Sequence, residues 1–286
     1  MIPKIIHYCW FGPNPLPPMV ESWRAKLPGY ELRAWTEESF DVDRLDYTRE
    51  AYEAGKYAFV SDVARLYALE REGGIYLDTD MEVIRSIDDL LDDTAFVGLG
   101  EEVGLHVLAG IIAAEPHHPF IQELLAHYES RPFRLPDGTL DLTPNPQLLT
   151  TTLQAKGLRL QNRLQRVGDV TVYPADYFYT MDFVSHRVTL TPRSRTIHHY
   201  AATWQSDDPY ARHLGTIFRI KRVLYRLLGQ ERSERLLNGC LVQTLRRLVW
   251  GDKKRRGGDR QGHPTERIHR IDQGDLPPAA GEQLRD

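Results

Sequence analysis

Two aspartates, Asp78 and Asp80, stand one residue apart immediately after the short apolar run Ile75-Tyr76-Leu77. That run is typical of a buried strand, and Gly73-Gly74 before it mark a break in the chain. Because alternate residues at a strand end point to the same side, the two carboxylates can converge on one point. Anionic oxygens held in this way suit a divalent cation that keeps open positions for phosphate oxygens and water. The same spacing also occurs in solvated turns, so the neighbouring elements must decide between the two interpretations.

A helical pattern precedes the glycines and carries a pair of opposite charges. The helix predicted at residues 57–65 places Asp62 and Arg65 three residues apart, hence on one face. Its apolar stripe is expected to face the core and to leave this pair to one side. The residues of the stripe are Phe59, Val63 and Leu66, with Leu69 or Val60. A carboxylate accepts hydroxyl groups and a guanidinium offers fixed donors to anionic oxygens, so the pair can bind a ligand; an ion pair on the helix surface is the alternative.

The chain up to residue 200 alternates between strand and helix patterns. Strands are predicted at residues 3–12, 31–35, 75–77, 81–84, 95–99, 107–113, 170–173 and 196–200. Helices are predicted at 19–26, 49–54, 119–128 and 146–155, with a helical turn at 88–91. This alternation predicts an α/β fold with a largely parallel central sheet flanked by helices. Ligands of such sheets gather at the carboxyl ends of the strands, where Trp10 and the two aspartates are expected.

Charge divides the chain into an acidic body and a basic block. Residues 1–211 contain 19 lysines and arginines against 31 aspartates and glutamates, whereas residues 212–260 contain 14 against 4. We expect a catalytic domain at 1–210, a basic amphipathic C-terminal helical extension at 211–250 and a disordered tail at 251–286.

The basic block of residues 212–260 is expected to meet an anionic partner. It can lie on an anionic membrane surface, or it can pack on the catalytic domain and leave its basic face solvated; both alternatives stay open. No run approaches the roughly 20 apolar residues that span a bilayer. The two cysteines, Cys9 and Cys240, have no metal-ligand spacing. We therefore expect a cytoplasmic protein, which would be peripheral on the inner face of the membrane if the basic block lies on anionic lipid. We expect no nucleic-acid partner, because no recognition module accompanies the basic residues.

Four segments resemble, in order, the motifs of the glycosyltransferase family with an Asp-x-Asp sugar-binding motif. They are Ile2–Gly12, Ser61–Arg65, Gly73–Asp80 and Ile197–Tyr200, the last followed by Trp204. The family includes bacterial capsular and exopolysaccharide transferases and fungal initiating α-mannosyltransferases, and the clostridial glucosylating toxins have a similar core. The resemblance covers roughly residues 1–205. It implies a GT-A type nucleotide-diphospho-sugar transferase fold, a nucleotide-sugar donor, Mn²⁺ or Mg²⁺ as the metal, and retention of the anomeric configuration.

The resemblance also implies roles for the acidic motif and the helical pair. Asp80 would be the direct metal ligand, and Asp78 would contact the ribose or reach the metal through water. Asp62 and Arg65 would hold the donor sugar and the diphosphate. Tyr76 would support the donor or simply pack.

Further donor contacts are implied at both ends of the resemblance. Trp10 would stack on the nucleotide base with Tyr8 nearby, although a tryptophan here is also typical of a core. His198 and His199 point opposite ways in a strand, so at most one faces the site, and we expect His198 to contact the metal or diphosphate. Trp204 would donate its indole N–H to the leaving phosphate.

Other residues are interpreted more simply. His7 and His117-His118 lack ligand spacing and are expected to be structural or solvated. Residues 107–114 depart from the family's pattern, which leaves the acceptor-side wall unassigned, and Gln147 is a candidate on that side.

The function that fits these features is a metal-dependent, retaining hexosyltransferase in surface polysaccharide synthesis. It would move a hexose from a nucleotide sugar, a UDP-sugar favoured, to a glycan or lipid-linked glycan. Two alternatives stay open. A metal-dependent phosphoesterase or nucleotidyltransferase also uses paired aspartates, and a non-catalytic protein that binds membranes or nucleic acids would depend on residues 212–260.

Overall fold

The computed structural model describes residues 1–101, 104–183, 185–201 and 224. Its strands are β1 Ile5–Cys9, β2 Glu31–Trp35, β3 Gly74–Leu77, β4 Met81–Val83, β5 Ala95–Glu101, β6 Leu105–Ala114, β7 Gln165–Val167, β8 Val170–Tyr173 and β9 Thr196–His198. Its helices are α1 Met19–Lys26, α2 Asp46–Glu53, α3 Tyr57–Glu72, α4 Pro119–Glu129, α5 Asn145–Ala155 and α6 Ala175–Phe178. Short 3-10 turns lie at Val42–Arg44 and Asp88–Leu90.

Seven of the described strands form one sheet in the order β2-β1-β3-β6-β5-β8-β7. The pairs β1–β2, β1–β3 and β5–β8 are parallel, whereas β3–β6, β5–β6 and β7–β8 are antiparallel. The predicted α/β class with a central sheet flanked by helices is confirmed. Five of the seven strands run in the same direction, so the sheet is largely parallel, as predicted. The three antiparallel pairings arise because β6 and β7 run against their neighbours.

Two apolar clusters cover the two faces of this sheet. The cluster on one side includes the stripe of α3 together with residues of α4 and α5. The other includes Trp23 of α1 and Met81 of β4. The predicted stripe of α3 is confirmed, since Phe59, Val60, Val63, Leu66 and Leu69 are all buried. Asp62 and Arg65 form an ion pair, but it does not lie on the helix surface as the alternative interpretation required. They are only 8% and 5% exposed, and Asn145 of α5 contacts Asp62.

A separate two-stranded ribbon joins distant parts of the chain. β4 pairs antiparallel with β9, and Met81 lies opposite His198. The predicted strand at 196–200 ends at His198, and β7 and α6 were not predicted, because three and four residues are too short for a clear hydrophobic period. Trp204, the helical extension at 211–250 and the tail at 251–286 lie outside the described residues, apart from residue 224. None of the described helices is long and apolar enough to cross a membrane.

The Gly73-Gly74 break turns the chain from α3 directly into β3. Gly74 has φ +101°, and a Cβ there would lie 2.7 Å from the carbonyl oxygen of Ile5 on the neighbouring strand. We expect Gly74→Ala to lower the free energy of unfolding by about 3 kcal/mol, because strain and overlap with backbone add. Gly138→Ala is the control: φ is +80° there, but no atom lies within 4 Å of the added Cβ, so the cost should be about 1 kcal/mol. Urea denaturation checks both, and equal losses would contradict the role of the close approach.

Candidate active site

The carboxyl ends of β1 and β3 lie at the same edge of the sheet. These strands are parallel, with Ile6 opposite Ile75 and His7 opposite Tyr76. Asp78 follows the last residue of β3, and its backbone N–H donates to the carbonyl of Gly110 at 2.9 Å, which continues the pairing with β6 for one residue. The strand pairing therefore fixes the position of Asp78 at the predicted edge.

The β4–β9 ribbon brings His198 to the acidic pair. The imidazole Nε2 of His198 lies 3.2 Å from Asp80 Oδ1 and 4.0 Å from Asp78 Oδ2. One ligand atom from each of Asp78, Asp80 and His198 lies within 4.8 Å of the others. Two carboxylates and one imidazole are a donor set for a divalent cation, so the residues present fit the predicted metal.

Asp80 is held by both of its carboxylate oxygens. Oδ1 faces His198, and Oδ2 accepts the backbone N–H of Ala201 at 2.8 Å. Burial alone would raise the pKa of Asp80, but the hydrogen bond and charge of His198, with the N–H of Ala201, outweigh it and lower that pKa below its usual value. Asp80 is therefore kept in the anionic form that binds cations.

Arg65 connects the helical pair to the acidic motif. Its Nη2 lies 3.1 Å from Asp62 Oδ1, and its Nη1 lies 3.6 Å from Asp78 Oδ1. Nη1 also donates to the carbonyl of Ala109 at 3.0 Å, and Nε donates to that of Ser61 at 3.1 Å. The guanidinium is thus bound on several sides by the protein itself. In this geometry Arg65 orients two carboxylates, and its predicted contact with a diphosphate stays a prediction.

Asp62 is buried where α5 begins. Its Oδ2 accepts the backbone N–H of Asn145 at 3.3 Å, and its carbonyl accepts the Asn145 Nδ2 at 3.0 Å. Burial raises the pKa of Asp62 to about 6, although the charge of Arg65 opposes that shift. Both carboxylate oxygens have partners, so the plane of this carboxylate is fixed for its predicted contact with a sugar hydroxyl.

Tyr76 supports the acidic motif from within the sheet. It is buried, its hydroxyl donates to Asp78 Oδ1 at 2.7 Å, and the Arg65 guanidinium lies 4.4 Å from its ring centroid. Between the two predicted roles for Tyr76, the structure gives it packing together with a direct hydrogen bond to Asp78.

Trp10 and Tyr8 lie at the end of β1, on the predicted side of the sheet. Trp10 is half-buried, and its indole N–H donates to the carbonyl of Asn14 at 2.7 Å. Tyr8 is half-buried and makes an edge contact with Trp23. Contact with a nucleotide base stays a prediction for both residues, and so does the acceptor-side role of Gln147, which lies half-buried in α5.

His199, His117 and His118 do not belong to the cluster of Asp78, Asp80 and His198. His199 pairs with Glu82 at 2.8 Å, so of the two neighbours His198 alone joins the carboxylates among the described residues. His117 contacts Glu70 at 2.9 Å, and His118 caps α4 by accepting the N–H of Phe120. These partners agree with the structural roles expected for the pair.

His7 is a buried structural residue in its neutral form. Its Nε2 donates to the carbonyl of Gly73 at 2.8 Å, and its Nδ1 accepts the indole N–H of Trp35 at 3.0 Å. Burial lowers the pKa of His7 below 6.5. Because the unfolded chain then binds the proton more tightly, this stabilisation is complete above about pH 6.5 and is lost as the pH falls through the lower, folded-state pKa.

We therefore expect His7→Gln to lose less stability than the wild type between pH 7 and pH 5. Glutamine offers a donor and an acceptor but takes up no proton in this range. Urea titrations at both pH values measure the difference. His127→Gln, at an exposed position of α4, should keep the wild-type pH dependence, and an unchanged pH dependence in His7→Gln would contradict this explanation.

The sequence left two contributors to the site unnoticed. Asn145 immediately precedes the helix predicted at 146–155, and that place in the chain gives no sign of its contact with Asp62. Tyr179 follows α6, an element that was not predicted, and its hydroxyl accepts the N–H of Ile111 at 3.1 Å. Both act through contacts across 68 or more residues of sequence, which a local pattern does not encode.

Comparison with known families supports the chemistry of this edge. Residues 14–97 match the family described as "Glycosyltransferase sugar-binding region containing DXD motif". The chain carries the sugar-binding region of the DXD glycosyltransferases. The family predicted from the sequence motifs is thereby confirmed, and the α/β fold described above agrees with the GT-A assignment.

Two fungal proteins and one solved structure are similar to this chain. It is 24% identical over 261 residues to "Inositol phosphoceramide mannosyltransferase 2" of Schizosaccharomyces pombe, which covers 85% of this chain and 71% of that protein. It is 27% identical over 188 residues to "Mannosyl phosphorylinositol ceramide synthase CSH1" of Saccharomyces cerevisiae, covering 62% of this chain but only 49% of that protein. The solved structure "PaToxG Glycosyltransferase" overlaps with a TM-score of 0.41 at 18% identity, covering 55% of this chain and 70% of that chain.

Proposed function

We propose that this glycosyltransferase transfers a hexose from a nucleotide sugar, uses a divalent cation, and retains the anomeric configuration. The observation that carries the proposal is the convergence of Asp78, Asp80 and His198 at the edge of the sheet where β3 ends. In a sugar-nucleotide transferase this is where a diphosphate and its cation are expected.

Under this proposal, the residues of the site have different roles. Asp78, Asp80 and His198 would hold the cation, and a bound cation supplies charge stabilisation for the departing diphosphate. Arg65 and Tyr76 fix the orientation of Asp78, while Arg65 and Asn145 fix that of Asp62 for a sugar hydroxyl. Because the imidazole is a ligand that transition ions accept readily, we propose Mn²⁺ ahead of Mg²⁺.

The identities of the donor and the acceptor are a second, more specific part of the proposal. The sequence alone favours a UDP-sugar, whereas the names of the two fungal relatives point to a mannosyl group and to a phosphoinositol-bearing sphingolipid acceptor. We propose a hexosyl donor and a glycan or lipid-linked glycan acceptor, with surface polysaccharide synthesis as the setting. The resemblance to the family supports retention as part of the proposal, and the departing phosphate would then take the acceptor's proton without a base from the protein.

A thermal-shift panel tests the donor and the metal together. UDP-glucose, UDP-galactose and GDP-mannose are each added with and without Mn²⁺. A donor that binds only the folded form raises the melting temperature. We expect this rise only when Mn²⁺ is present, because the cation is proposed to hold the diphosphate. Product analysis follows: nucleoside diphosphate supports glycosyl transfer, whereas phosphate or pyrophosphate indicates a phosphoesterase or nucleotidyltransferase. NMR of the anomeric proton of the product tests retention. A panel without any metal-dependent shift would overturn the proposal.

We also propose that the enzyme works in the cytoplasm, peripherally on the inner face of the membrane. The support is the excess of basic residues at 212–260. Flotation with vesicles of phosphatidylcholine, alone or mixed with phosphatidylserine, tests it. Binding that requires the anionic lipid and falls when Lys253, Lys254, Arg255 and Arg256 are replaced by glutamine supports the proposal, and equal binding to both vesicles overturns it.

A further inference from the structure

The β6 strand carries a bulge next to the acidic motif. Along the β5–β6 pair, Val97 lies opposite Ile112, but the next residue, Gly98, lies opposite Leu108. Residues 109–111 of β6 therefore have no opposing residue on β5. A bulge leaves backbone groups without their ladder partners, and such groups must find other partners when they are buried.

Each of the three bulge residues gives a backbone group to the site. The carbonyl of Ala109 accepts Arg65 Nη1 at 3.0 Å, and the carbonyl of Gly110 accepts the N–H of Asp78 at 2.9 Å. The N–H of Ile111 donates to the hydroxyl of Tyr179 at 3.1 Å. The bulge is thus bound to the acidic motif on one side and to Tyr179 on the other.

Strand glycines leave room for the Tyr179 ring. A Cβ at Gly98 would lie 2.8 Å from Tyr179 Cε2, and also 2.7 Å from Phe178 Cδ2. A Cβ at Gly110 would lie 3.4 Å from Tyr179 Cε1, 3.3 Å from the sulfur of Met81 and 3.4 Å from Asp78 Oδ2. Glycine inside a strand weakens the strand and often marks a place where another group approaches the backbone closely. Here that group is the aromatic ring of Tyr179, which lies against Gly98 and Gly110.

The Tyr179 ring also touches a residue of the metal site. Its centroid lies 5.7 Å from that of His198, and the two planes are inclined by 64°, which is an edge contact. The imidazole of His198 also contacts the ring of Tyr200, with centroids 4.1 Å apart. His198 therefore contacts two rings, and the hydroxyl of Tyr179 also accepts the N–H of Ile111 in the bulge.

We propose that Tyr179 is a positioning residue of the metal site. Its hydroxyl satisfies the Ile111 N–H, which keeps the bulge in the conformation that supports Asp78 and Arg65. Its ring fixes the angle at which His198 faces Asp80. The proposal rests on the proposed function only in that Asp78, Asp80 and His198 bind a cation.

Calorimetric titration with Mn²⁺ alone, at a temperature where every variant is folded, separates the two parts of Tyr179. Tyr179→Leu removes ring and hydroxyl and should weaken Mn²⁺ binding by about tenfold, within the range found when a residue supporting a ligand is lost. Tyr179→Phe keeps the ring and should lose about threefold, with a lower melting temperature from the unpaired Ile111 N–H. Phe178→Leu is the matched control, because Phe178 is buried beside it against Phe96 and Gly98; its melting temperature should fall while Mn²⁺ affinity stays within about twofold.

A double variant tests whether the ring acts through His198. His198→Ala should weaken Mn²⁺ binding by about 10- to 100-fold. Adding Tyr179→Leu to His198→Ala should lower the Mn²⁺ affinity by much less than the tenfold expected for Tyr179→Leu alone, because the effects of substituting residues in contact are not additive. The role of Tyr179 would be overturned by any of three results. These are wild-type Mn²⁺ affinity in Tyr179→Leu, fully additive losses of affinity in the double variant, or an equal loss of affinity in Phe178→Leu. A wild-type protein that binds no Mn²⁺ would overturn the metal site itself and this inference with it.

Discussion

Replacing Asp80 with asparagine is expected to lower glycosyl transfer by about a thousandfold while leaving the protein folded. The pKa of Asp80 is lowered, so it is anionic, and asparagine removes that charge but keeps an oxygen for the N–H of Ala201. The loss follows because charge stabilisation of the leaving group is among the largest single contributions to catalysis. Initial rates with the donor identified by thermal shift, in saturating Mn²⁺, provide the measurement.

Two comparisons make the Asp80 result specific. Asp92→Asn changes an exposed aspartate near the same sheet and should keep wild-type rates. The melting temperature of Asp80→Asn without metal should stay close to that of the wild type, while the shift produced by Mn²⁺ should disappear. Activity within tenfold of wild type would mean that Asp80 holds no essential cation.

Local patterns were sufficient to predict most of the scaffold. The helix at Met19–Lys26 and the strands at Glu31–Trp35 and Val170–Tyr173 lie at the predicted residues, because each has a clear hydrophobic period or apolar run bounded by breaking residues. The acidic motif was predictable for the same reason. Asp78 and Asp80 follow a short apolar strand whose end must lie at the edge of the sheet where ligands bind.

The environment of the site could not be predicted in this way. Arg65 and Asp62 contact Ala109 of β6 and Asn145 of α5, which lie 44 and more residues further along the chain. The bulge at residues 109–111 appears in the sequence only as a run of small and apolar residues, which is equally typical of a regular strand. A helical period distinguishes the core stripe from the other faces, but it does not show which of the other faces a later element will cover.

Because Arg65 is buried, it dominates the stability of the site as well as its geometry. Burial opposes its charge, but the neighbouring Tyr76, Asp78 and Asp62 raise its pKa above the usual value. Arg65→Met keeps much of the side-chain volume and removes the positive charge, so the buried Asp62 and the half-buried Asp78 lose the guanidinium that compensates their charges. We expect the free energy of unfolding to fall by about 3–5 kcal/mol and transfer activity to be lost. Urea denaturation and rate measurements check the two expectations.

Arg49→Met is the matched control, because Arg49 and Asp46 form an ion pair of the same spacing on an exposed helix face and should contribute nothing measurable.

A second substitution distinguishes lost charge compensation from lost packing. Without Arg65, the pKa of Asp62 should rise further, because the largest effect that opposes its burial is then gone, and wherever the pH exceeds that pKa the buried carboxylate carries a charge without its guanidinium. Asp62→Asn removes that unpaired charge, so the double variant Arg65→Met with Asp62→Asn should recover a large part of the lost stability. It should not recover activity, because Asp78 still lacks its guanidinium and the carboxylate that we propose contacts the sugar is gone. If the double variant is less stable than Arg65→Met, the arginine acts mainly through its contacts with Ala109, Ser61 and the Tyr76 ring, and compensation of buried charge is not its main contribution.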